Sequence, residues 1–461
     1  MQLTVQTMQS GTVGLRTDLL SGSQTALDQR TSSWPVLVTV VVLTGVAVGL
    51  GGMLLALLLH FVQHVAFGYG LATTNTHESF LEGVQASSPL RRVLALSTCG
   101  IVAGLGWFAV RRFGSRLVSI SNAVTNGSDM PALTTAAHDL LQIVTVGLGS
   151  PLGREVAPRE TGALLAGCLS QIARLTTEER RIMVACGAGA GLAAVYNVPL
   201  AGALFALEVL LQTFRISAVV PAITISTTAA YVAWIGLGDQ TLYVLPHLSI
   251  DRCLIMWSIV AGPVFGLAAR WFVLLTESAR ASAPKNWGLL LWCGIVFPAI
   301  GLLAIPFPEI LGNGRGLALL GFDGSLTIRV AAILLLLKTV ATVSSLRAGA
   351  EGGLLTPGVS IGALLGTFAG AMWNCIWPGG SPGAFAVVGG TAFLASSMKM
   401  PLTAIVLMLE VTRVDHDFLI PIAFAVAGSI SAFHLIEKWT SARSHAKRSL
   451  TDSVGPELQR Q

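Results

Sequence analysis

The sequence predicts an all-α integral membrane protein of two helical repeats, with short half-helices meeting at a site near the membrane midplane. Three observations carry this. Charged residues make up 11% of the 461-residue chain, where soluble domains average about 25%, and the mean hydropathy is +0.72. Two stretches, 31–77 and 352–398, each run 47 residues without an Asp, Glu, Lys or Arg, and crossing the hydrocarbon core takes about 20 apolar residues. The chain also resembles itself at a spacing of 200 to 202 residues.

The elements follow in order. Residues 1–33 are polar and lack the apolar core and cleavage site of a signal peptide, so a disordered cytoplasmic tail is expected. The membrane domain is expected over 34–436. Beyond the first long run, uncharged windows recur at 93–110, 140–153, 161–173, 182–207, 216–238, 253–269, 286–308 and 418–436. Several are too short for a full crossing. Short, Gly- or Pro-interrupted segments suggest half-helices that stop inside the membrane, as transporters use around a central site. Fifty glycines let helices approach closely. Residues 437–461 carry Lys438, Arg443, Lys447 and Arg448; a basic cytoplasmic tail without a regulatory domain is expected.

The net charge of +5 does not indicate a nucleic-acid partner, because the basic residues are dispersed in connectors rather than gathered on one face. They suit loops beside an anionic leaflet. The six cysteines stand singly, with no metal-binding or disulfide spacing. His60 and His64, four apart on an apolar helix, lack a third ligand, so no metal site and no cofactor are expected.

Self-similarity defines the halves. GSPLGREVAPRETGALL (149–165) matches GAEGGLLTPGVSIGALL (349–365) at an offset of 200, aligning Gly149, Gly153 and the Gly162-Ala163-Leu164-Leu165 run with identical partners. GLAAVYNVPLAGALFALEV (191–209) matches FLASSMKMPLTAIVLMLEV (393–411) at 202, aligning Pro199, Leu200 and Leu207-Glu208-Val209. Repeats of about 35–236 and 253–436 follow. Such repeats are often inverted, with the site between them.

The candidate site lies in the first matched pair. Gly153-Arg154-Glu155-Val156 places a guanidinium and a carboxylate before a helix-like run, and ionisable groups at membrane depth are functional candidates by default. The glycines let backbone amides converge at a helix N-terminus, which favours an anion. Glu155 and a dissolved anion then compete for one place, and protonating Glu155 vacates it. The second segment, Gly352-Gly353-Leu354-Leu355-Thr356-Pro357, is uncharged and would present amides from the opposite side, with Leu355 at the repeat position of Glu155.

These two segments, with Asn197-Val198-Pro199-Leu200-Ala201-Gly202 and Met400-Pro401-Leu402-Thr403-Ala404, together resemble the CLC family of chloride channels and chloride/proton antiporters, over about residues 36–445. The resemblance implies inverted repeats, a homodimer with one anion pathway per subunit, and a multi-pass location in a cell membrane, the bacterial inner membrane, with both termini cytoplasmic. It implies chloride and protons as partners and Glu155 as the gating glutamate. Gly153, Arg154, Val156, Leu354, Leu355 and Thr356 are the implied anion-binding positions. The family's first motif, Gly-Ser-Gly-Ile-Pro, has two candidates here. Gly114-Ser115-Arg116 fits the spacing better, making Ser115 the expected hydroxyl donor; Gly127-Ser128-Asp129-Met130-Pro131 is the alternative. Leu355 replaces the usual Phe, and Val156-Ala157 replaces Gly-Pro. After Glu208, Val209 holds the position at which many exchangers carry a second, proton-relaying glutamate. The tyrosine at the inner end of the pathway has no counterpart beyond residue 243, and Trp439 is the substitute offered.

Transport of chloride by channel or antiport is therefore expected, with export of fluoride or another small anion as the alternative. Gly379-Gly380-Ser381-Pro382-Gly383 fits a nucleophile-elbow pattern but sits in a connector, so a membrane-embedded hydrolase is a remote alternative and no enzymatic activity is expected. No Walker lysine motif marks ATP use.

Overall fold

The computed structural model describes residues 33–68 and 80–454. The expected N-terminal tail lies, up to residue 32, outside the described residues. In order, the helices are α1 (Trp34–Phe67), α2 (Phe80–Ala86), α3 (Pro89–Phe113), α4 (Ile120–Asn126), α5 (Ala132–Gly147), α6 (Val156–Ile172), α7 (Thr177–Tyr196), α8 (Pro199–Phe205), α9 (Ile216–Leu237), α10 (Arg252–Ala281), α11 (Gly288–Leu303), α12 (Arg315–Phe322), α13 (Ile328–Ala348), α14 (Leu355–Asn374), α15 (Pro382–Ser397), α16 (Pro401–Thr412) and α17 (Leu419–Val454). Among the described residues, seven helical segments are long and apolar enough to cross a membrane, and several more are apolar but too short. The chain is a multi-pass membrane protein. The boundary expected at 436 falls inside α17, which continues to Val454.

Proline and glycine set the helix ends. Pro199 and Pro401 stand in the first turns of α8 and α16, where a missing N–H costs nothing. Inside the bundle, α6 and α7 pack almost backbone to backbone. A Cβ on Gly162 would lie 2.1 Å from the Gly187 carbonyl oxygen, and one on Gly187 would lie 2.4 Å from the Gly162 oxygen. The matching pair, α14 and α15, closes through Gly366 and Gly389 in the same manner. Residues 182–196 of α7 are buried throughout, and the second half's core centres on Trp257, with Phe385 and Phe265 rings 4.7 and 5.8 Å away.

The repeats are inverted about a two-fold relation that shows in the backbone itself. Gly153 N–H donates to Gly353 O at 2.8 Å and Gly353 N–H returns the bond at 2.9 Å, an antiparallel bridge between mates. Gly149 and Gly349, at φ 101° and 97°, end the preceding helices alike. Val198 (φ −131°, ψ 68°) and Met400 (φ −136°, ψ 66°) enter α8 and α16 in one conformation. Side chains repeat the exchange. Glu208 accepts from Leu402 N–H (2.9 Å), Thr403 N–H (2.7 Å) and Thr403 Oγ1 (2.6 Å); Glu410 accepts from Leu200 N–H (3.0 Å) and Ala201 N–H (2.8 Å). Each half thus caps a helix of the other, using carboxylates at the positive ends of helix dipoles.

One departure from symmetry matters. A π-helical turn, Ala206–Leu211, follows α8. The left-handed residues flanking α8 and α16 are 202 apart at the start (Asn197, Lys399) but 201 apart at the end (Gln212, Arg413). The first half holds one extra residue there, which the wide turn absorbs.

Candidate functional site

The bridge between Gly153 and Gly353 aims the first turns of α6 and α14 at one point, and Glu155 fills it. Its side chain is fully buried and makes no bond to its own helix. Oε1 instead accepts from the N–H of Leu355, the first residue of α14, at 2.5 Å. Oε2 lies 3.4 Å from the Tyr196 hydroxyl, which also meets Thr356 Oγ1 at 2.9 Å. Two glycines make room: a Cβ on Gly153 would stand 2.2 Å from Oε2, and one on Gly353 2.1 Å from Oε1. Neither glycine accepts a side chain while the carboxylate is in place.

Positive charge surrounds the carboxylate without an ion pair to its oxygens. Arg154 is 6% exposed, lies with Cζ 5.1 Å above the Tyr196 ring, and leaves Nε unpartnered. Arg159 donates from Nε to the Glu155 carbonyl at 3.1 Å and stacks over Phe205. The field favours negative charge, while the contacts to the carboxylate oxygens are hydrogen bonds from one amide and one hydroxyl rather than from a cationic group.

Next to this cluster is a small cavity lined by Tyr196, Tyr243, Leu355, Thr356, Met408 and Val411, among others, with about 20 Å³ open to the centre of a water-sized sphere. That is room for about one water or one small ion. Tyr243 is fixed by its backbone N–H bond to Val411 O at 3.0 Å and by edge contact with Phe322.

The structure brings Gly153, Glu155, Leu355 and Thr356 together. Val156 and Leu354 frame the same two helix starts. The hydroxyls it sets beside Glu155 are those of Tyr196 and Thr356. Ser115 is exposed, and its N–H donates to Thr134 Oγ1 at 3.1 Å, at the start of α5. Ser128 borders a separate hollow with Gly167, Cys168 and Gln171 near the far end of α6. Trp439, on α17, is 55% exposed. Val209 lies within the π turn and packs on the second half's core. Ser381 stands at the N-cap position of α15, without a side-chain bond to the helix. Among the described residues, no group of three or more His, Cys, Asp or Glu side chains is arranged to hold a metal.

Tyr196 escaped sequence reasoning. It closes an Ala- and Gly-rich helix 41 residues from Glu155, and nothing local distinguishes it from a core aromatic; only the packing of α7 on α6 brings its hydroxyl to Glu155 and Thr356.

Comparison with known proteins agrees with this architecture. The family model described as voltage gated chloride channel matches residues 99–433. The H(+)/Cl(-) exchange transporter ClcA of Cronobacter sakazakii is 30% identical over 84% of each chain. The voltage-gated ClC-type chloride channel ClcB of Citrobacter koseri is 29% identical over 73% of this chain and 83% of its own. Among solved structures, a slow cyanobacterial Cl-/H+ antiporter superposes with a TM-score of 0.76 at 18% identity, covering 88% of this chain and 96% of that one. The two glycine-flanked helix starts, the inverted repeats around them and these matches lead to one assignment: the chain belongs to the voltage gated chloride channel family, the CLC proteins.

Proposed function

We propose that the chain exchanges chloride for protons across a bacterial inner membrane, through a pathway closed by Glu155. The observation that carries this reading is the bond from Leu355 N–H to a fully buried Glu155 carboxylate, which occupies the place a dissolved anion would take. Protonation removes the charge that holds the side chain against α14. The carboxyl then leaves, and chloride takes over the amide. Anion and proton therefore use one site in alternation, which is the logic of exchange. Chloride would meet the Gly153 and Gly353 backbones, the Leu355 and Thr356 amides and the Tyr196 hydroxyl, under the field of Arg154.

The working form is a homodimer, supported by half-exposed apolar residues on α8, α9 and α16, among them Leu200, Val220 and Leu402. The basic residues after 436 support a cytoplasmic C-terminus. A second reading, transport of a harder anion such as fluoride, is favoured by the paired hydroxyls of Tyr196 and Thr356, compact donors beside the cap.

The test is the reversal potential of purified protein in liposomes under crossed chloride and pH gradients. Exchange predicts a potential that shifts with the pH gradient; a potential set by chloride alone makes the protein a channel. Flux of fluoride without chloride passes the assignment to the second reading, and no anion flux defeats transport.

A further inference from the structure

A buried carboxyl pair sits where α5 and α6 run side by side. Asp139 on α5 is 1% exposed, and its Oδ2 accepts from Thr161 Oγ1 on α6 at 2.6 Å. Its Oδ1 has no donor, and neither has Oε2 of Glu160. Both carboxyls belong to the same seam: Glu160 directly precedes Thr161, which bonds Asp139, and lies 3.8 Å from His138, the residue before Asp139. Ionised carboxylates only accept, so they cannot satisfy one another. One proton between them supplies the donor and removes one of two like charges buried side by side.

His138 approaches from α5. Trp107 Nε1 donates to its Nδ1 at 3.2 Å, so the ring's proton in the neutral form sits on Nε2, 3.8 Å from Glu160 Oε2. A second, independent feature adjoins the pair. Gln142, one turn along α5 from Asp139, is fully buried with both amide atoms unpartnered, an unused donor and acceptor of the kind a water or a proton in transit requires.

The packed elements contribute few other charges. α6 brings Arg159, which acts electrostatically on both Glu155 and Glu160. α1 brings His60 and His64, the former acting on Arg154 and Arg315. α3 contributes Trp107, and α7, packed on α6, carries Cys186 and Tyr196.

We propose that Asp139 and Glu160 form a one-proton site inside the membrane domain, and that it holds the proton exchanged against the anion. The second clause rests on the exchange reading above. Glu160 follows Glu155 by five residues on α6, a rise of about 7.5 Å. The proton passes from Glu160 to the Glu155 carboxylate through intervening water, and Glu155 then leaves its cap. One carboxyl O–H bond breaks, another forms, and the negative charge stays on the Asp139–Glu160 pair, beside the Thr161 hydroxyl and the His138 Nε2–H.

The test uses the full-length protein and two readouts. Infrared difference spectra follow the C=O stretch of a protonated carboxyl; proteoliposomes give the protons moved per chloride. The expected result is a protonated-carboxyl band at neutral pH that Asp139→Asn and Glu160→Gln each remove, with a proton-to-chloride ratio lowered at least about tenfold. If an amide variant fails to fold, Thr161→Val reads the same pair, since losing the hydroxyl shifts the band without abolishing it. An unchanged band in all three variants overturns the site. A lost band with an unchanged ratio overturns its part in exchange. A wild-type chain that carries chloride but no protons defeats the exchange reading and the second clause together, while the band still decides the first.

Discussion

Two cross-repeat contacts use the same device and differ in one residue. At the starts of α8 and α16, Glu410 and Glu208 respectively cap the helix of the opposite half, so both positive ends are covered by carboxylates. At the starts of α6 and α14, Glu155 caps α14, but its repeat mate is Leu355, which returns nothing. The reciprocal pair is a closed staple. The unreciprocated one leaves α6 without a carboxylate, between glycines that let an ion approach the backbone. A carboxylate on one side only, instead of both, therefore distinguishes the joint at Glu155 from the closed staple, and under the proposed function it is the joint that comes undone.

The largest effect should come from removing the charge at the unreciprocated end. Glu155→Gln is nearly isosteric and keeps the neutral form permanently. It should preserve anion flux, flatten the dependence of that flux on pH, and abolish proton movement, all measurable in one set of liposomes. Flux that remains pH-dependent at the wild-type rate would sink the gate assignment.

Glu208→Gln and Glu410→Gln should show the opposite pattern. Each loses charge-assisted bonds to helix amides and should cost about 1–3 kcal/mol of stability, seen as a lower melting temperature in detergent, with the pH profile of flux kept in shape. A changed pH profile in either would mean that the staples also move during transport.

A smaller change is expected at Tyr196, which steadies Glu155 from one side. Tyr196→Phe removes a hydrogen bond worth about 0.5–1.5 kcal/mol, so flux at neutral pH should rise about two- to tenfold as the cap is held less firmly. Ser115→Ala should have the smallest effect, because Ser115 is exposed and bonded through its backbone to Thr134. A selectivity change larger than that of Thr356→Val would instead mean that the loop before α4 enters the pathway during the cycle.

The repeat and the pairing of residues 153–155 with 353–356 were legible in the sequence because the motifs that carry them are local. Offsets of 200 and 202 align prolines, glycines and glutamates whose backbone roles are then the same in both halves. The π turn was not legible, since one extra residue in a run of apolar side chains leaves no compositional mark. Asp139 and Glu160 marked only the edges of two uncharged windows, 140–153 and 161–173. They lie 21 positions apart, and the antiparallel course of α5 and α6 is what makes them neighbours. Tyr196 was hidden for the same reason.

The Glu208 and Glu410 staples also constrain the order of synthesis. The first amides of α8 leave the ribosome about two hundred residues before the carboxylate that caps them, and Glu208 waits equally long for α16. Until the second repeat arrives, the first half carries an unpaired acid and bare amides where lipid would otherwise press, each costing several kcal/mol in hydrocarbon. The nascent first half must therefore be sheltered by the insertion machinery or held near the membrane surface. These groups are satisfied only when the second half docks, so the last step of folding joins the two repeats.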